Sequence, residues 1–344
     1  MASRDLSALL WLSLPLVVIV GMSTGAVKIP IDVIIQHCIS VFFRSNDSDV
    51  SSGQIYTILF DIRLPRLCLA FLVGLVLAMS GAVMQGLFRN PLAAPSLIGV
   101  SSGASLGASL VIVFAGSWLQ SNSILGLSVI AMGAFIGSFF VTLTVYSLST
   151  SIFGTSVTTM LLAGIAVSAL AGALNTWLSY FADNEMLRQI SVWQMGNLST
   201  ANWPRVLIIG VVGAFVLLIF FRESQSLNAL LLGESEARHL GVDVQYVKKK
   251  LIFLTTLGVG SAVAVAGMIG FVGLVIPHIV RSLIGPDYKG LLPVSGVAGG
   301  ILLLIADILA RVVFTPIEIP TGILTAVLGA PFFIMLLADQ RKQI

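Results

Sequence analysis

The residues of this chain best suited to chemistry are ion-pairing groups. Arg63 and Arg66 bracket the motif RLPR at 63–66, and ADILAR at 306–311 ends in Arg311. At a helix–water rim, guanidinium groups can reach carboxylates on another surface and fix the orientation in which it docks. The same side chains can instead snorkel, with their stems along the helix and their heads in water. Asp307 precedes Arg311 by four residues, so the two share a helix face and can pair, and Glu318 follows at the same end.

Catalytic patterns are missing. There is no HExxH, GVSSG at 99–103 does not make a nucleophile elbow, and no Walker A loop is present. His37, His239 and His278 fall on separate segments without metal-ligand spacing. The two cysteines, Cys38 and Cys68, are too few for a disulfide framework and read as small apolar residues. Neither a catalytic nor a metal site is expected, and an intramembrane enzyme is a weak alternative.

Two polar interruptions stand out. In MQGLFRNPLAAPSLIG at 84–99, Arg89, Asn90 and Pro91 stop one apolar run, and Pro95 fits the first turn of the next. In SLNALLLGESEARHLG at 226–241, Leu227, Leu230 and Leu231 make an apolar stripe, Gly233 breaks it, and a second short helix follows. A helix–Gly–helix too short to span a membrane suits docking in a groove on another protein, or lying in the interface.

The elements that must hold these residues follow from composition. The chain has 344 residues, 57% hydrophobic and 10% charged, with a mean hydropathy of +1.04. A soluble exterior cannot be covered with so little charge, whereas segments of about 20 apolar residues each cross roughly 30 Å of hydrocarbon. The expectation is an all-α, polytopic membrane protein in one domain, 1–344. Its ten spans lie near 8–27, 58–86, 94–115, 124–148, 156–181, 204–221, 246–268, 271–285, 291–312 and 320–338. The N-terminal run reads as a retained first helix.

With the N-terminus inside, most Lys and Arg fall on the cytoplasmic side, among them Arg4, Arg89, Arg222, Lys248, Lys249, Lys250, Arg341 and Lys342. The bias favours both termini inside, and leaves Arg63, Arg66 and Arg311 as outer exceptions. A shift of 186 residues superposes Val73-Gly74 on Val259-Gly260, Gly81 on Gly267, Pro91 on Pro277 and Ser96–Gly99 on Ser282–Gly285. This suggests an inverted repeat, with the matched stretches running in opposite directions.

The chain resembles the FecCD-type permeases of ABC importers for vitamin B12, ferric siderophores and haem. The resemblance rests on RLPR, SGAVMQGLFRNPLAAPSLIGVSSGA at 80–104 and LLAGIAVSAL at 161–170. It continues through WQMGNLSTANW at 193–203, LLLGESEARHLGV at 230–242 and GMIGFVGLVIPHIVRSLIGPDYKGLLP at 267–293. ADILAR and EIPTGILTAVLGAPFFIMLL at 318–337 complete it.

The resemblance implies a fold like the vitamin B12 permease, a second permease subunit (a homodimer), two cytoplasmic ATP-binding subunits and a periplasmic binding protein. It implies a bacterial inner membrane location, with lipid and no nucleic acid among the partners, and no cofactor of its own, since the partners bind ATP. Arg63, Arg66 and Arg311 would dock the binding protein. Asn90 and Leu92 would close the cytoplasmic gate, with Thr158 as the nearest match to a second contribution. Segment 226–241 would meet the ATPase through Leu230, Gly233, Glu234, Ala237, Arg238 and Gly241. The stretch 183–203 resembles the haem branch, which would turn Arg188 toward cargo or binding protein. Haem is favoured over a ferric siderophore, with cobalamin behind and a secondary transporter as the alternative of another class.

Overall fold

A computed structural model describes residues 2–43, 50–120, 123–152, 154–315 and 317–341. The apolar runs all become helices: α1 (Ala2–Ser23), α2 (Ile31–Phe43), α3 (Val50–Tyr56), α4 (Leu64–Leu87), α5 (Val100–Gln120), α6 (Ser123–Ser149) and α7 (Val157–Phe181). They continue as α8 (Asn184–Gln194), α9 (Trp203–Arg222), α10 (Ser224–Leu232), α11 (Glu234–His239), α12 (Val244–Ala266), α13 (Val272–Ile284), α14 (Tyr288–Val312) and α15 (Thr321–Arg341). A π-helical turn, Thr57–Arg63, runs directly into α4. The strands β1 (Thr150–Ser151) and β2 (Gly154–Thr155) pair antiparallel as a small ribbon, with Thr150 opposite Thr155.

Polar residues just before the apolar runs start the helices, because a side-chain oxygen there satisfies an N–H that the first turn leaves free. Ser156 caps α7, Asp183 caps α8, Asn202 caps α9 and Asp243 caps α12, each accepting from the N–H three residues on.

All ten expected spans correspond to helices. By length and composition, seven helices among the described residues could cross a membrane, and three more apolar stretches are shorter, at 100–115, 272–284 and 321–335. The polar link near 46–49, Lys342 and the side chains of Arg4, Cys38 and Arg341 lie outside what is described.

Burial divides the helices into a core and a periphery. The apolar windows of the 53–87 helix and α12 are 78% buried and that of α14 is 72%, against 11% for α1, 17% for α7 and 22% for α9. In lipid, apolar side chains gain nothing by leaving the hydrocarbon, so the core must be held by close packing. Glycines make that approach possible. A Cβ on Gly74 would lie 2.3 Å from the Gly299 carbonyl oxygen, joining α4 to α14. One on Gly81 would lie 1.8 Å from that of Gly273, joining α4 to α13. Gly103 and Gly107 meet Gly137 and Gly133 in the same way, so α5 and α6 are antiparallel.

Contacts sort the links into two ends. At one, here the Asp307 end, Asp307 of α14 meets Arg66 of α4, and Gly322 N–H donates to the Gly196 carbonyl. At the other, the ribbon end, Lys248 Nζ donates to Thr155 O at 3.1 Å, and Tyr288 OH donates to Ala82 O at 3.0 Å. The C-terminal end of α1 approaches Arg311, and α15 starts beside Asp307. The start of α1 and the end of α15 therefore share the ribbon end.

Three expectations need correction. The span expected at 271–285 is only the 13-residue α13, about 20 Å long at 1.5 Å per residue. It is too short to cross alone, and the irregular link 267–271 completes the passage, with Phe271 at φ 66° and Gly267 at φ 72°. The third span does not begin near 94. Pro95–Ile98 is a separate 3-10 turn, and Gly99 at φ 83° breaks it from α5 because its Cα packs where a Cβ would lie 2.6 Å from Val141 Cγ1.

The single 186-residue shift fails as an inverted repeat. It places Val73–Gly81 of α4 opposite in direction to Val259–Gly267, but Ser96–Gly99 and Ser282–Gly285 both close links at the ribbon end. Pro91 lies in a turn, whereas Pro277 is inside α13. The short α13 changes the spacing, so one offset cannot follow both parts.

Candidate functional site

At the Asp307 end, two arginines meet two carboxylates and a third arginine stands nearby. Arg66 Nε donates to Asp307 Oδ1 at 2.9 Å and Oδ2 at 3.1 Å, and its Nη1 donates to Glu318 Oε2 at 2.8 Å. Arg311 Nε stands 3.2 Å from Asp307 Oδ2, so the i,i+4 pair forms. Thr321 Oγ1 donates to Asp307 Oδ1 at 3.3 Å. Arg63 is used differently, for its Nη1 and Nη2 donate to the carbonyls of Met22 and Val27 in and after α1.

These arginines are buried within the chain. Relative exposure is 5% for Arg63, 6% for Arg66 and 5% for Arg311, with Asp307 at 0%. Free snorkelling does not describe them. Each is fixed by hydrogen bonds to partners that sequence spacing could not supply, Arg66 and Asp307 being 241 residues apart. Three guanidiniums against two carboxylates leave one positive charge in excess. Arg311 Nη2 has no hydrogen-bond partner among the described residues, while Glu318 keeps 42% of its side chain exposed.

The ribbon end holds the helix–Gly–helix. Gly233, at φ 133°, separates α10 from α11, and a Cβ there would lie 2.1 Å from Glu236 Oε2. The expected stripe does not project. Leu227 is fully buried and Leu230 is 2% exposed, because α10 packs on α4 and α14 of its own chain. Ala237 is likewise buried. Outward-facing positions are Leu232, Arg238, Leu240 and Gly241, with Glu234 half-buried. Glu234 joins Lys248 Nζ at 2.5 Å and Arg238 at 3.8 Å.

Asn228 ties α10 to the start of α14, donating to Asp287 Oδ1 at 2.7 Å and accepting from Tyr288 N–H at 2.9 Å. The Asn228 hydrogen bond, helped by the Lys289 N–H, holds the Asp287 carboxyl below its ordinary range. Tyr288, wholly buried against α4, is a hub that sequence reasoning missed, since a tyrosine at a loop edge carries no burial signal.

The turn between α4 and α5 is locally determined. Arg89 takes a left-handed φ of 49°, and Asn90 Oδ1 accepts from Leu92 N–H at 2.9 Å. Asn90 is exposed, Leu92 half-buried, and Thr158 lies exposed in the first turn of α7. The segment after the turn abuts α7, where Gly164 admits the Leu97 carbonyl. All three gate candidates therefore sit at the ribbon end.

Arg188 lies exposed on α8, on the wall of a cavity of about 490 Å³ at the Asp307 end. Glu185, Gln189 and Trp193 of α8 share that wall with Arg205 and the C-terminal end of α12. Arg205, which sequence reasoning also missed, donates to Thr200 O at 3.2 Å, to Val265 O at 3.3 Å and to Thr200 Oγ1. It has no ion-pair partner among the described residues, where no group of three His, Cys, Asp or Glu could hold a metal either.

Comparison with known proteins places this geometry. The model of the FecCD transport family matches residues 13–339. The chain is 43% identical over 305 residues to the hemin transport system permease protein HmuU of Yersinia pestis, covering 89% of this chain and 90% of that one. It is also 43% identical over 291 residues to the vitamin B12 import system permease protein BtuC of Salmonella paratyphi A, covering 84% and 86%. A solved metal-chelate type ABC transporter in an inward-facing conformation superposes with a TM-score of 0.82 at 32% identity, covering 98% of this chain and 99% of that one.

Proposed function

This chain belongs to the FecCD transport family of ABC-importer permeases, and from that premise we propose that it carries an iron complex, haem, from the periplasm to the cytoplasm. Two copies line the path in the bacterial inner membrane, each as a single permease domain. Two separate ATP-binding subunits drive them, and a periplasmic binding protein delivers cargo. The Asp307 end faces the periplasm, and the ribbon end, with both termini, faces the cytoplasm.

Each end has its part. Arg63, Arg66 and Arg311 form the docking rim. Arg66 is committed to Asp307 and Glu318, so what the rim offers a carboxylate on the binding protein is its excess positive charge, felt through the thin cover over Arg311. At the other end Leu230, Gly233 and Ala237 seat the coupling helices, while Glu234, Arg238 and Gly241 face the ATPase. Asn90, Leu92 and Thr158 close the cytoplasmic gate. The unpartnered face of α7, with Leu162, Leu170, Trp177 and Tyr180 exposed, supports pairing with a second copy.

The observation that carries the haem reading is the cavity beside α8, where Arg188 and Arg205 stand over apolar walls. That chemistry suits an amphiphilic cargo with carboxylates on a flat apolar body. The likeness to a metal-chelate type transporter supports a ferric siderophore as the second reading. Proteoliposomes holding the permease and its ATPase, offered binding protein loaded with haem, ferric siderophore or cobalamin, test the choice. Haem-dependent ATPase stimulation and uptake are expected. Stimulation by another cargo alone overturns haem, and transport driven by an ion gradient without the ATPase overturns the importer reading.

A further inference from the structure

At the ribbon end α6, α9 and α12 enclose a groove of about 410 Å³ that the importer reading does not use. Its walls are apolar, formed by Phe139, Leu143, Phe215 and Phe253, with Tyr146 and Tyr246 at the mouth. From Tyr246 to Thr256 the groove follows ten residues of α12, about 15 Å, which is half the hydrocarbon thickness of a bilayer. It is as long as one leaflet is deep.

The mouth is polar and positive. It opens into a second hollow of about 340 Å³ bounded by Thr150 and Ser151 of the ribbon, Gln245 and Lys249, and the two hollows share Tyr146, Tyr246 and Lys249. The three consecutive lysines have different surroundings. Lys248 is buried against Glu234, and Lys250 is held by Glu223 at 2.7 Å with the Tyr246 ring 5.7 Å away. Lys249 is exposed at the junction of the hollows and makes no ion pair among the described residues.

A second polar feature lies deeper. Thr142, 3% exposed, lines the groove, and its hydroxyl has no hydrogen-bond partner among the described residues. It sits four residues before Tyr146, about 6 Å further into the membrane along α6. Below a headgroup, that is the depth of the ester carbonyls that join it to the acyl chains.

We propose that this groove binds one acidic phospholipid from the leaflet at the ribbon end. Lys249 takes the phosphate at the mouth that the ribbon bounds, Thr142 lies at the depth of an ester carbonyl, and an acyl chain lies between α6, α9 and α12. A basic mouth over an apolar cleft between membrane helices is the arrangement that selects anionic headgroups. The inference rests on charge complementarity and depth, and stands apart from the choice of cargo.

The test uses the full-length chain in mild detergent, incubated with equal amounts of phosphatidylglycerol and phosphatidylcholine of identical acyl chains and analysed by native mass spectrometry. The wild type should retain phosphatidylglycerol about fivefold over phosphatidylcholine, the scale one lysine contributes beside an anionic surface. Lys249→Glu should bring the ratio below parity, and Leu143→Trp, which fills the groove, should lower retention of both lipids. Lys289→Glu, at an exposed lysine of the same end outside the groove, should change nothing. Equal loss in Lys249→Glu and Lys289→Glu would reduce the effect to general surface charge. Displacement by glycerol phosphate as effective as by whole lipid would make this a site for free phosphate. Loss of ATPase assembly in Lys249→Glu with lipid retention intact would give the surface to the partner protein.

Discussion

Arg66 and Asp307 form a buried, two-pronged ion pair between α4 and α14, with Nε 2.9 Å and Nη2 2.9 Å from Asp307 Oδ1. The carboxylate is fully buried, and it also holds Arg311 at 3.2 Å. One acid thus fixes two of the three rim arginines. Removing it leaves Arg311 buried without an acid and Arg66 with Glu318 alone. Asp307→Asn should destabilise the protein by about 3–5 kcal/mol, read as a fall in thermal stability in detergent. A replacement of both Arg66 and Asp307 by apolar residues should cost less than the sum of the single changes, and additivity in that double-mutant cycle would contradict the coupling.

Glu318 is the exposed member of the same cluster, and its bond to Arg66 crosses solvent-accessible surface. Its neutralisation to Gln should cost at most about 1 kcal/mol of stability. If the rim docks a carboxylate-bearing binding protein, Glu318→Gln should speed association at low salt, because it removes a like charge from the approach. Stopped-flow association at two ionic strengths measures this. Charge reversal at Arg63 or Arg311 should slow association while ATPase assembly survives, and unchanged association would remove both residues from the docking surface.

Gly233 joins α10 and α11 through a backbone angle of φ 133°, which L side chains rarely adopt, whereas the exposed Glu236 side chain beside it can move aside. Gly233→Ala should strain the joint by about 1–3 kcal/mol. The strain falls between two short helices, so the membrane core should fold. The expected result is a permease that assembles and inserts but transports less per ATP hydrolysed. Full coupling in that variant would argue against a mechanical role for the joint.

The Asn228–Asp287 bond links α10, proposed to couple to the ATPase, to the start of α14. Its bonded Asp287 carboxyl has a lowered pKa, so whatever it contributes is complete above the unfolded pKa and is lost as pH falls through the folded one. Coupling that depends on this bond should therefore be flat from about pH 6 to 8. Asn228→Ala should return the Asp287 pKa toward its ordinary value and weaken coupling at neutral pH. A carboxylate titration followed by NMR or infrared difference spectroscopy reads the first effect.

Gly81→Ala should be severe, since the added methyl group would press on the Gly273 carbonyl where α13 starts. Both groups belong to packed backbones, so α4 and α13 must separate. Lower yield of folded protein in detergent, with rescue absent at low temperature, is the expected result. A stable Gly81→Ala variant would show that this contact can relax.

Local signals were legible where one segment carries its own answer. Apolar runs marked every span, because crossing hydrocarbon demands an unbroken helix of apolar residues. Gly233 marked the joint between α10 and α11, and the four-residue spacing marked the Asp307–Arg311 pair. Signals failed where depth and length must be known together. The break at Gly99 was hidden because Pro95 looks like an ordinary helix start in isolation.

By itself the sequence determined an all-helical membrane protein, its polar breaks, and which arginines stand out, since these follow from composition and short periodicities. Only the tertiary structure decided that Arg66 belongs to Asp307, that Leu227 and Leu230 turn inward, and that Lys249 stands apart from its two paired neighbours. The physical reason is the same in each case. An ion pair or buried face is defined by the partner brought alongside, and in lipid that partner is chosen by close glycine-mediated packing between helices far apart in sequence.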